Sequence, residues 1–330
     1  MLLLLALEAE DMRSPQLPEI WRRLRVDVLL IAVAVVWGSS YLAAKQLTDF
    51  ASVPAILSLR FMIAALALLA VFSWLRKKRP GRAELLVGII LGFTQAAILL
   101  LETYGVSVTS ATNAGLIISL TIIFTPILES AANRRWLPPG FFVAAVVAVV
   151  GVALLVSDNG FRLPNAGDLL MLAAAAVRAG HVTLMAKLTT GKSFDSLTVT
   201  LLQSAACAAL FTAMDPGGAI SAVVNFGLPQ WLGVLYLGLA CSVFAFLVQL
   251  WAIRQTSASR ASLLMGTEPV WAVLIGITVG GELIGWLGVL GAVLIIAACY
   301  LGQRIEARSR GLRQRKRVSA RAPQPIDQAT

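Results

Sequence analysis

The sequence has few charged residues, and its hydrophobic residues lie in long unbroken runs. Only 13% of the 330 residues are charged and 58% are hydrophobic, whereas soluble domains carry about 25% charged residues. A large soluble all-α protein needs polar helix faces, and these runs lack them. Apolar stretches of about 18 residues or more, each long enough to cross ~30 Å of hydrocarbon, recur along the chain. The composition therefore predicts an all-α integral membrane protein in a lipid bilayer.

The sequence also lacks the motifs that mark an ATP-driven pump, a metalloprotease or a serine hydrolase. It contains no GxxxxGKS/T, no HExxH and no GxSxG. Its single histidine and three scattered cysteines, Cys207, Cys241 and Cys299, do not make an ordinary zinc site. The cysteines are typical of small buried hydrophobic residues, since their spacing is not paired. We therefore expect no cofactor, no bound metal and no enzyme activity.

The net charge of +10 does not indicate a nucleic-acid partner, because the basic residues lie at the ends of apolar runs and in the C-terminal tail. Cytoplasmic segments of membrane proteins carry most Lys and Arg. With the N-terminus inside, 23 of the 27 basic residues are cytoplasmic, and only Lys45 and Arg162 lie outside. Arg60 and Arg178 lie within spans. The distribution predicts that both termini lie in the cytoplasm, and we expect the protein in the inner membrane of a bacterium.

Ten transmembrane helices are predicted, joined by short loops and without an extramembrane domain. Their approximate ranges are 27–47, 53–75, 83–103, 107–131, 138–157, 167–189, 195–214, 229–252, 257–280 and 284–303. Residues 1–26 are predicted to be a cytoplasmic N-terminal segment, and 304–330 a basic disordered cytoplasmic tail. Acidic residues follow the apolar start of the chain, which is unlike a secretory signal. Met1 and Met12 both remain candidates for the true start.

The second half of the sequence resembles a diverged copy of the first. Thr109-Ser110-Ala111-x-x-Ala114-x-Leu116 matches Thr256-Ser257-Ala258-x-x-Ala261-x-Leu263, 147 positions later. Further matches pair Asp27-Val-Leu-Leu with Asp168-Leu-Leu-Met, Leu59-Arg60 with Leu202-Gln203, and Glu102 with Gln249. Because each half holds five spans, the second half enters the membrane from the opposite side. We therefore predict two five-helix repeats, 27–157 and 165–303, in the 5+5 inverted topology that many secondary transporters share.

Several motifs resemble those of the EamA family of the drug/metabolite transporter superfamily. They are Trp37-Gly38-Ser39-Ser40, Leu59-Arg60-Phe61, and the stretch from Thr256-Ser257-Ala258 through Glu268-Pro269 to Gly281-Glu282. The first half departs from this pattern, since Arg134-Arg135 stand where the second half has Gly281-Glu282. The resemblance covers about residues 27–303. It implies a helix bundle around a central pathway that exports amino acids or similar small metabolites.

Two other readings of the function remain open. The first is a multidrug or nucleotide-sugar-type carrier of the same superfamily. The second, from a different class, is a membrane-embedded enzyme or a non-transporting scaffold. The polar groups of such a protein would gather at one membrane face. Export by alternating access would draw on a substrate gradient or a proton gradient. The groups available to carry a proton are Glu102, His181 and Glu268, and the sequence does not decide among them. It also does not decide whether the protein forms a homo-oligomer.

Charged and polar residues within the spans are the candidates for the pathway. A charge at mid-bilayer costs ~2.5–3.5 kcal/mol on insertion scales, so it needs a partner or a water-filled cavity. Arg178 and His181 lie three positions apart and share a helix face. Arg178 either binds a substrate carboxylate or pairs with a buried Glu. His181 is either a second donor or proton-responsive group, or a satisfied core residue.

The third and ninth spans supply further candidates. Gln95 and Glu102 lie seven positions apart on nearly one face of the third span, and the residue related to Glu102 in the other half is Gln249. This polar stripe either lines the pathway or is an interfacial cap, with Glu102 among the lipid headgroups. Glu268 either accepts a proton or an amine, or pairs with an intramembrane Arg. Pro269 removes a backbone donor, so it is predicted to be a structural kink.

The first two spans hold two more residues of interest. Small residues beside Trp37 favour close helix packing. Trp37 either packs between helices or forms the wall of a substrate pocket. Arg60 is expected to be structural and to pair with Glu129 or Glu268. Glu129 itself is expected to have no transport role.

Overall fold

The structure is a computed structural model that describes residues 19–75, 79–132, 137–156, 164–189, 191–255 and 265–321. Over these residues the chain folds into helices, without a strand. Seven helices are long and apolar enough to cross a membrane, and three shorter apolar ones are Pro139–Leu155, Glu268–Thr278 and Trp286–Gly302. Each predicted span falls on one of these segments. The all-α membrane fold is therefore confirmed, and the count of ten crossings stays a prediction.

The described residues of the first half form six helices. They are α1 (Glu19–Thr48), α2 (Val53–Trp74), α3 (Arg82–Val108), α4 (Ala111–Ile118), α5 (Thr121–Ala132) and α6 (Pro139–Val156). Serine side chains cap two of them. Ser52 Oγ accepts a hydrogen bond from the Ala55 N–H at 3.3 Å, and Ser110 Oγ accepts one from Asn113 at 2.9 Å. Such caps satisfy N–H groups that a helix start leaves unpaired, so the chain can reverse direction within a few residues.

Over the part that the structure describes, the second half forms seven helices and a π-helical stretch. They are α7 (Ala166–Thr189), α8 (Ser196–Met214), α9 (Pro216–Asn225), α10 (Leu228–Leu235), the π-helix Tyr236–Phe244, α11 (Ala245–Gln255), α12 (Glu268–Thr278) and α13 (Trp286–Arg321). The short helix α9 was not predicted. Asp215 caps it, and hydrogen bonds from the Ser52 hydroxyl and the Gly218 N–H hold the pKa of Asp215 below its ordinary value. The start of α2 is thereby tied to the start of α9.

The fourth span is discontinuous, and in the ninth a helix begins at mid-span. The fourth divides at Ser119-Leu120 into α4 and α5, although Pro126 lies inside α5. The predicted kink at Pro269 is a helix start, because α12 begins at Glu268 and a proline in the first turn removes an N–H that has no partner there anyway. Thr121, where α5 begins, lies 147 positions before Glu268, so both helices begin at the same register of the repeat. Residues 256–264, which carry part of the repeat motif, lie outside the described residues.

The basic C-terminal segment is helical as far as Arg321, so the prediction of a disordered tail is wrong over this part. Helix α13 continues past residue 303 without a break. Its extension is rich in Arg, Gln, Ala and Glu, which favour helices, and contains no proline up to Arg321. Residues 322–330 and 1–18, including both candidate start methionines, lie outside the described residues.

Helices of the first half pack mainly on helices of the second. α1 and α4 contact α12, α2 contacts α8, α3 contacts α7 and α8, and α6 contacts α13. At the last contact, a Cβ on Gly151 would lie 2.9 Å from the Gly291 carbonyl oxygen, so glycine permits the backbones to approach. Large apolar side chains such as Leu66, Val146 and Val224 are exposed on the outside. An apolar surface over an apolar core is what a bilayer requires.

Candidate functional site

Two buried carboxylates of the bundle meet at Arg178 of α7. Its Nη2 lies 3.1 Å from Glu102 Oε1 on α3. Its Nη1 donates to both carboxylate oxygens of Glu268, the first residue of α12, at 3.2 and 3.3 Å. The contact with Glu102 lacks the geometry of a hydrogen bond, so it is a contact between charges. Two buried carboxylates thus share one guanidinium.

Two aromatic residues of α1 complete this cluster. The Tyr41 hydroxyl donates a hydrogen bond to Glu268 Oε1. The Arg178 guanidinium lies 5.3 Å from the centroid of a Trp37 ring, at cation–π distance. Sequence reasoning missed Tyr41. Its position four residues after Trp37, on the same helix face, was the available signal.

A glycine positions α1 against the start of α12. A Cβ on Gly38 would lie 2.7 Å from Trp271 Cβ and 2.8 Å from the Glu268 carbonyl oxygen. Trp37 Nε1 donates to the Cys241 carbonyl oxygen at 3.1 Å, in the π-helical stretch. Within the motif that begins at Trp37, the structure therefore gives Gly38 a packing role and holds the indole ring beside the charged cluster.

His181 is buried one turn from Arg178 but contacts a different residue. Its Nδ1 lies 2.6 Å from the Thr94 hydroxyl on α3. Its Nε2 is buried and has no hydrogen-bond partner among the described residues. One nitrogen of His181 is therefore satisfied and the other is not, and both readings of this histidine, a second donor or proton-responsive group and a satisfied core residue, stay predictions.

Two further hydrogen bonds join buried polar side chains of the two halves. Gln203 Nε2 on α8 donates to Gln95 Oε1 on α3 at 3.2 Å. Arg60 Nε on α2 donates to Ser242 Oγ at 2.8 Å. Arg60 therefore does not pair with Glu268, contrary to expectation, because Arg178 and Tyr41 already surround that carboxylate. The Glu129 side chain, the other expected partner, lies outside the described residues. Gln249 is buried on α11.

A second polar cluster lies at the end of the bundle where α1 ends. The Glu282 carboxylate accepts hydrogen bonds from the N–H groups of Ala111 and Thr112, at 2.7 and 2.9 Å. Lys45 Nζ donates to the Thr109 carbonyl oxygen at 2.8 Å and lies 3.8 Å from Glu282 Oε1. A carboxylate at this place satisfies the unpaired donors at the start of α4 and suits the helix dipole. Glu282 thus joins the loop after α12 to the first half.

The described residues contain no group of three or more His, Cys, Asp or Glu side chains that is arranged to hold a metal ion. The three cysteines are buried and free. The chemistry that the cluster offers is therefore the binding of charge by Arg178, Glu102 and Glu268, together with aromatic contact.

Apolar helices around buried, paired charges define this chain as a polytopic membrane protein with a charged centre. Two consecutive segments, residues 24–157 and 165–302, each match the EamA-like transporter family. The chain belongs to this family, which confirms the resemblance seen in the sequence. It is a multi-pass membrane transporter.

Similar proteins cover most of the chain. An uncharacterized transporter of Archaeoglobus fulgidus is 27% identical over 283 residues, covering 85% of this chain and 86% of the relative. The uncharacterized inner membrane transporter YedA of Escherichia coli is 24% identical over 286 residues, covering 83% and 90%. A crystal structure with 16% identity superposes with a TM-score of 0.59 over 86% of this chain and 98% of that one. At this identity the likeness concerns the fold.

Proposed function

We propose that the protein is a secondary transporter that exports amino acids or related small metabolites across the bacterial cytoplasmic membrane by alternating access. The carrying observation is the cluster of Glu102, Arg178 and Glu268, drawn from three helices and both halves. Charges inside a membrane are costly and mark substrate or ion pathways. Two carboxylates around a single guanidinium suit the binding of an ammonium group or a proton.

The proposed mechanism needs two inverted five-span repeats, residues 27–157 and 165–303, and two hydrogen bonds support them. The repeat relates Arg60 to Gln203 and Gln95 to Ser242, at separations of 143 and 147 positions. The bond from Arg60 to Ser242 is then the repeat image of the bond from Gln203 to Gln95. A two-fold axis in the membrane plane generates pairs of this kind.

A contact at the charged cluster supports the same symmetry. The pairing of Asp27 with Asp168, 141 positions apart, also relates Trp37 to Arg178. These two residues lie against each other, with the guanidinium 5.3 Å from the ring. Two residues related by a two-fold axis lie at equal distances from it, so they contact each other only when both lie close to the axis. The contact therefore favours a site midway between the halves, where alternating-access carriers bind their substrates.

Counterflow in proteoliposomes tests the proposal. Vesicles with the purified protein are loaded with a mixture of unlabelled amino acids and diluted into a labelled mixture. Labelled amino acids should accumulate transiently, because a carrier exchanges inner for outer substrate. Vesicles without protein, and vesicles with the Glu268→Gln variant, are the controls.

Three results would contradict amino-acid transport. Accumulation of cationic drugs without amino acids would favour the multidrug alternative, and accumulation of nucleotide sugars would favour that type of carrier. Chemical conversion of an added compound would indicate an enzyme. An imposed pH gradient that changes the accumulation would assign the drive to protons, carried by Glu102, Glu268 or His181.

A further inference from the structure

We propose that the face of α13 formed by Tyr300, Arg304 and Arg308 binds the phosphate headgroups of anionic phospholipids. The basic helix that follows these residues strengthens the binding. The proposal concerns the contact between the protein and its membrane, and it is independent of the transported substrate. Sequence reasoning assigned the basic residues of this region to a disordered tail, whereas the structure places them on a continuous helix.

One face of α13 is exposed along its length and changes from apolar to basic near Tyr300. Before Tyr300, the large exposed side chains of this helix are Trp286, Val289, Leu290 and Val293. Arg304 and Arg308 follow Tyr300 at intervals of four residues and are also exposed. Residues at this spacing are neighbours on one helix face. Arg304 stands about five helical turns after Trp286, so these two residues lie in line along the helix.

This change from apolar to basic marks the depth at which the hydrocarbon of the bilayer ends. Five turns of α-helix rise about 27 Å, which is close to the ~30 Å thickness of the hydrocarbon. Trp and Tyr are enriched at the two membrane surfaces, and Trp286 and Tyr300 lie towards the two ends of the apolar face. Arg304 and Arg308 therefore lie at the level of the headgroups, where phosphate groups are their neighbours.

The Arg304 guanidinium is held on the Tyr300 ring in a position that suits phosphate binding. Its Nη2 donates a hydrogen bond to the Tyr300 hydroxyl at 2.8 Å, and its Cζ lies 4.5 Å from the ring centroid. Tyr300 takes only one of the five N–H donors that a guanidinium has. Among the described residues, neither Arg304 nor Arg308 forms an ion pair. A guanidinium of this kind binds a phosphate through two parallel hydrogen bonds.

Ile305 fixes the start of the basic segment against the bundle. It packs against the hydrophobic core, and a Cβ on Gly140, in the first turn of α6, would lie 3.4 Å from Ile305 Cδ1. α13 is therefore still attached to α6 at the residue that follows Arg304. Arg304 and Arg308 contact the headgroups from a fixed backbone, which lowers the conformational entropy lost on binding.

The rest of α13 adds positive charge beyond this face. The sequence from residue 309 to Arg321 contains no acidic residue, and its basic residues are Arg310, Arg313, Arg315, Lys316, Arg317 and Arg321. Four to eight Lys and Arg directly beyond a transmembrane helix attract anionic lipids, and the attraction falls off within about 8–10 Å. At about 1.5 Å per residue, the charges up to Arg310 lie within this distance of Arg304. A lipid therefore uses the residues nearest the membrane, whereas a soluble polyanion would use the distal ones.

Native mass spectrometry of the full-length protein in detergent tests the proposal with equal amounts of palmitoyl-oleoyl phosphatidylglycerol and phosphatidylcholine. The protein should carry at least ~5-fold more phosphatidylglycerol, because each basic residue near the surface favours an anionic lipid about fivefold. Arg304→Gln combined with Arg308→Gln should abolish most of this preference. Arg304→Lys should keep part of it, because the charge remains without the planar fork.

Arg313→Gln combined with Arg315→Gln is the matched control, because it removes the same charge about 14–16 Å further along the helix than Arg304. It should keep most of the preference, and all variants should keep the thermal midpoint of the unaltered protein in lipid-free detergent. Equal binding of the two lipids by the unaltered protein would overturn the proposal. A preference that survives Arg304→Gln with Arg308→Gln, or equal losses in the two double variants, would do the same. Displacement of bound phosphatidylglycerol by duplex DNA at equal phosphate concentration would identify a soluble polyanion as the partner and also overturn it.

Discussion

Replacing Arg178 with Ala would leave Glu102 and Glu268 close together without their shared counter-ion. Removing one partner of a buried ion pair is strongly destabilising, so we expect Arg178→Ala to cost about 3 kcal/mol of stability. Adding Glu102→Gln should recover part of this loss, because one uncompensated carboxylate disappears. Thermal unfolding of the unaltered protein, the single variant and the double variant in detergent measures both effects. An Arg178→Ala protein as stable as the original would show that Arg178 is not the counter-ion.

At the scale of single residues, the sequence identified the costly groups but not their partners. Arg178, Glu102 and Glu268 all followed from the rarity of charge within spans, and the structure brings the three together. Tyr41 and Ser242 were missed, because a hydroxyl within an apolar span carries little signal. The pairing of charged side chains depends on how helices distant in sequence pack against each other. Helical periodicity within one helix does not contain that information.

At the scale of elements, α4 and α12 approach each other because Gly115 lacks a side chain. A Cβ on Gly115 would lie 2.1 Å from Ala272 Cβ and 3.4 Å from the Tyr41 ring. We expect Gly115→Ala to force the helices apart at a cost of about 1–3 kcal/mol, typical of overpacking. Transport should fall with it, because Tyr41 holds Glu268. The thermal midpoint and counterflow measure the two losses.

A second substitution checks the cause. Gly115→Ala combined with Ala272→Gly returns the missing space and should restore both stability and counterflow. Gly217→Ala serves as the control, since a Cβ there would meet no atom within 4 Å. Persistent loss in the double variant would mean that steric contact between α4 and α12 is not the reason.

The positions of the helices were predicted well, because hydrophobicity determines them. Breaks and π-helical turns within helices were predicted less well, because they depend on backbone hydrogen bonding. Long apolar runs located the apolar helices that the structure describes. The division of the fourth span at Ser119-Leu120 and the π-helix Tyr236–Phe244 were not foreseen. Neither contains a proline, and both depend on contacts with other helices. Pro269 was recognised as a disruption, but sequence did not distinguish a kink from a helix start.

For the whole molecule, the distribution of Lys and Arg predicts which end of the bundle faces the cell exterior. Asp49 follows α1, and Arg82 begins α3 at the opposite end of the bundle; both are exposed. A membrane-impermeant maleimide should label Asp49→Cys in intact cells and label Arg82→Cys only after the cells are opened. The native cysteines are buried, so their background should be low. The reverse labelling pattern would invert the orientation and contradict cytoplasmic termini.

Glu282 binds the main chain of α4, not a side chain. Every residue except proline offers an N–H group, so positions 111 and 112 can change identity without losing this contact. One half of the molecule can therefore diverge while the other keeps a single carboxylate, and the two remain attached at this end. A bond made in this way needs no paired mutations to persist, which suits a protein whose halves have become as unequal as these.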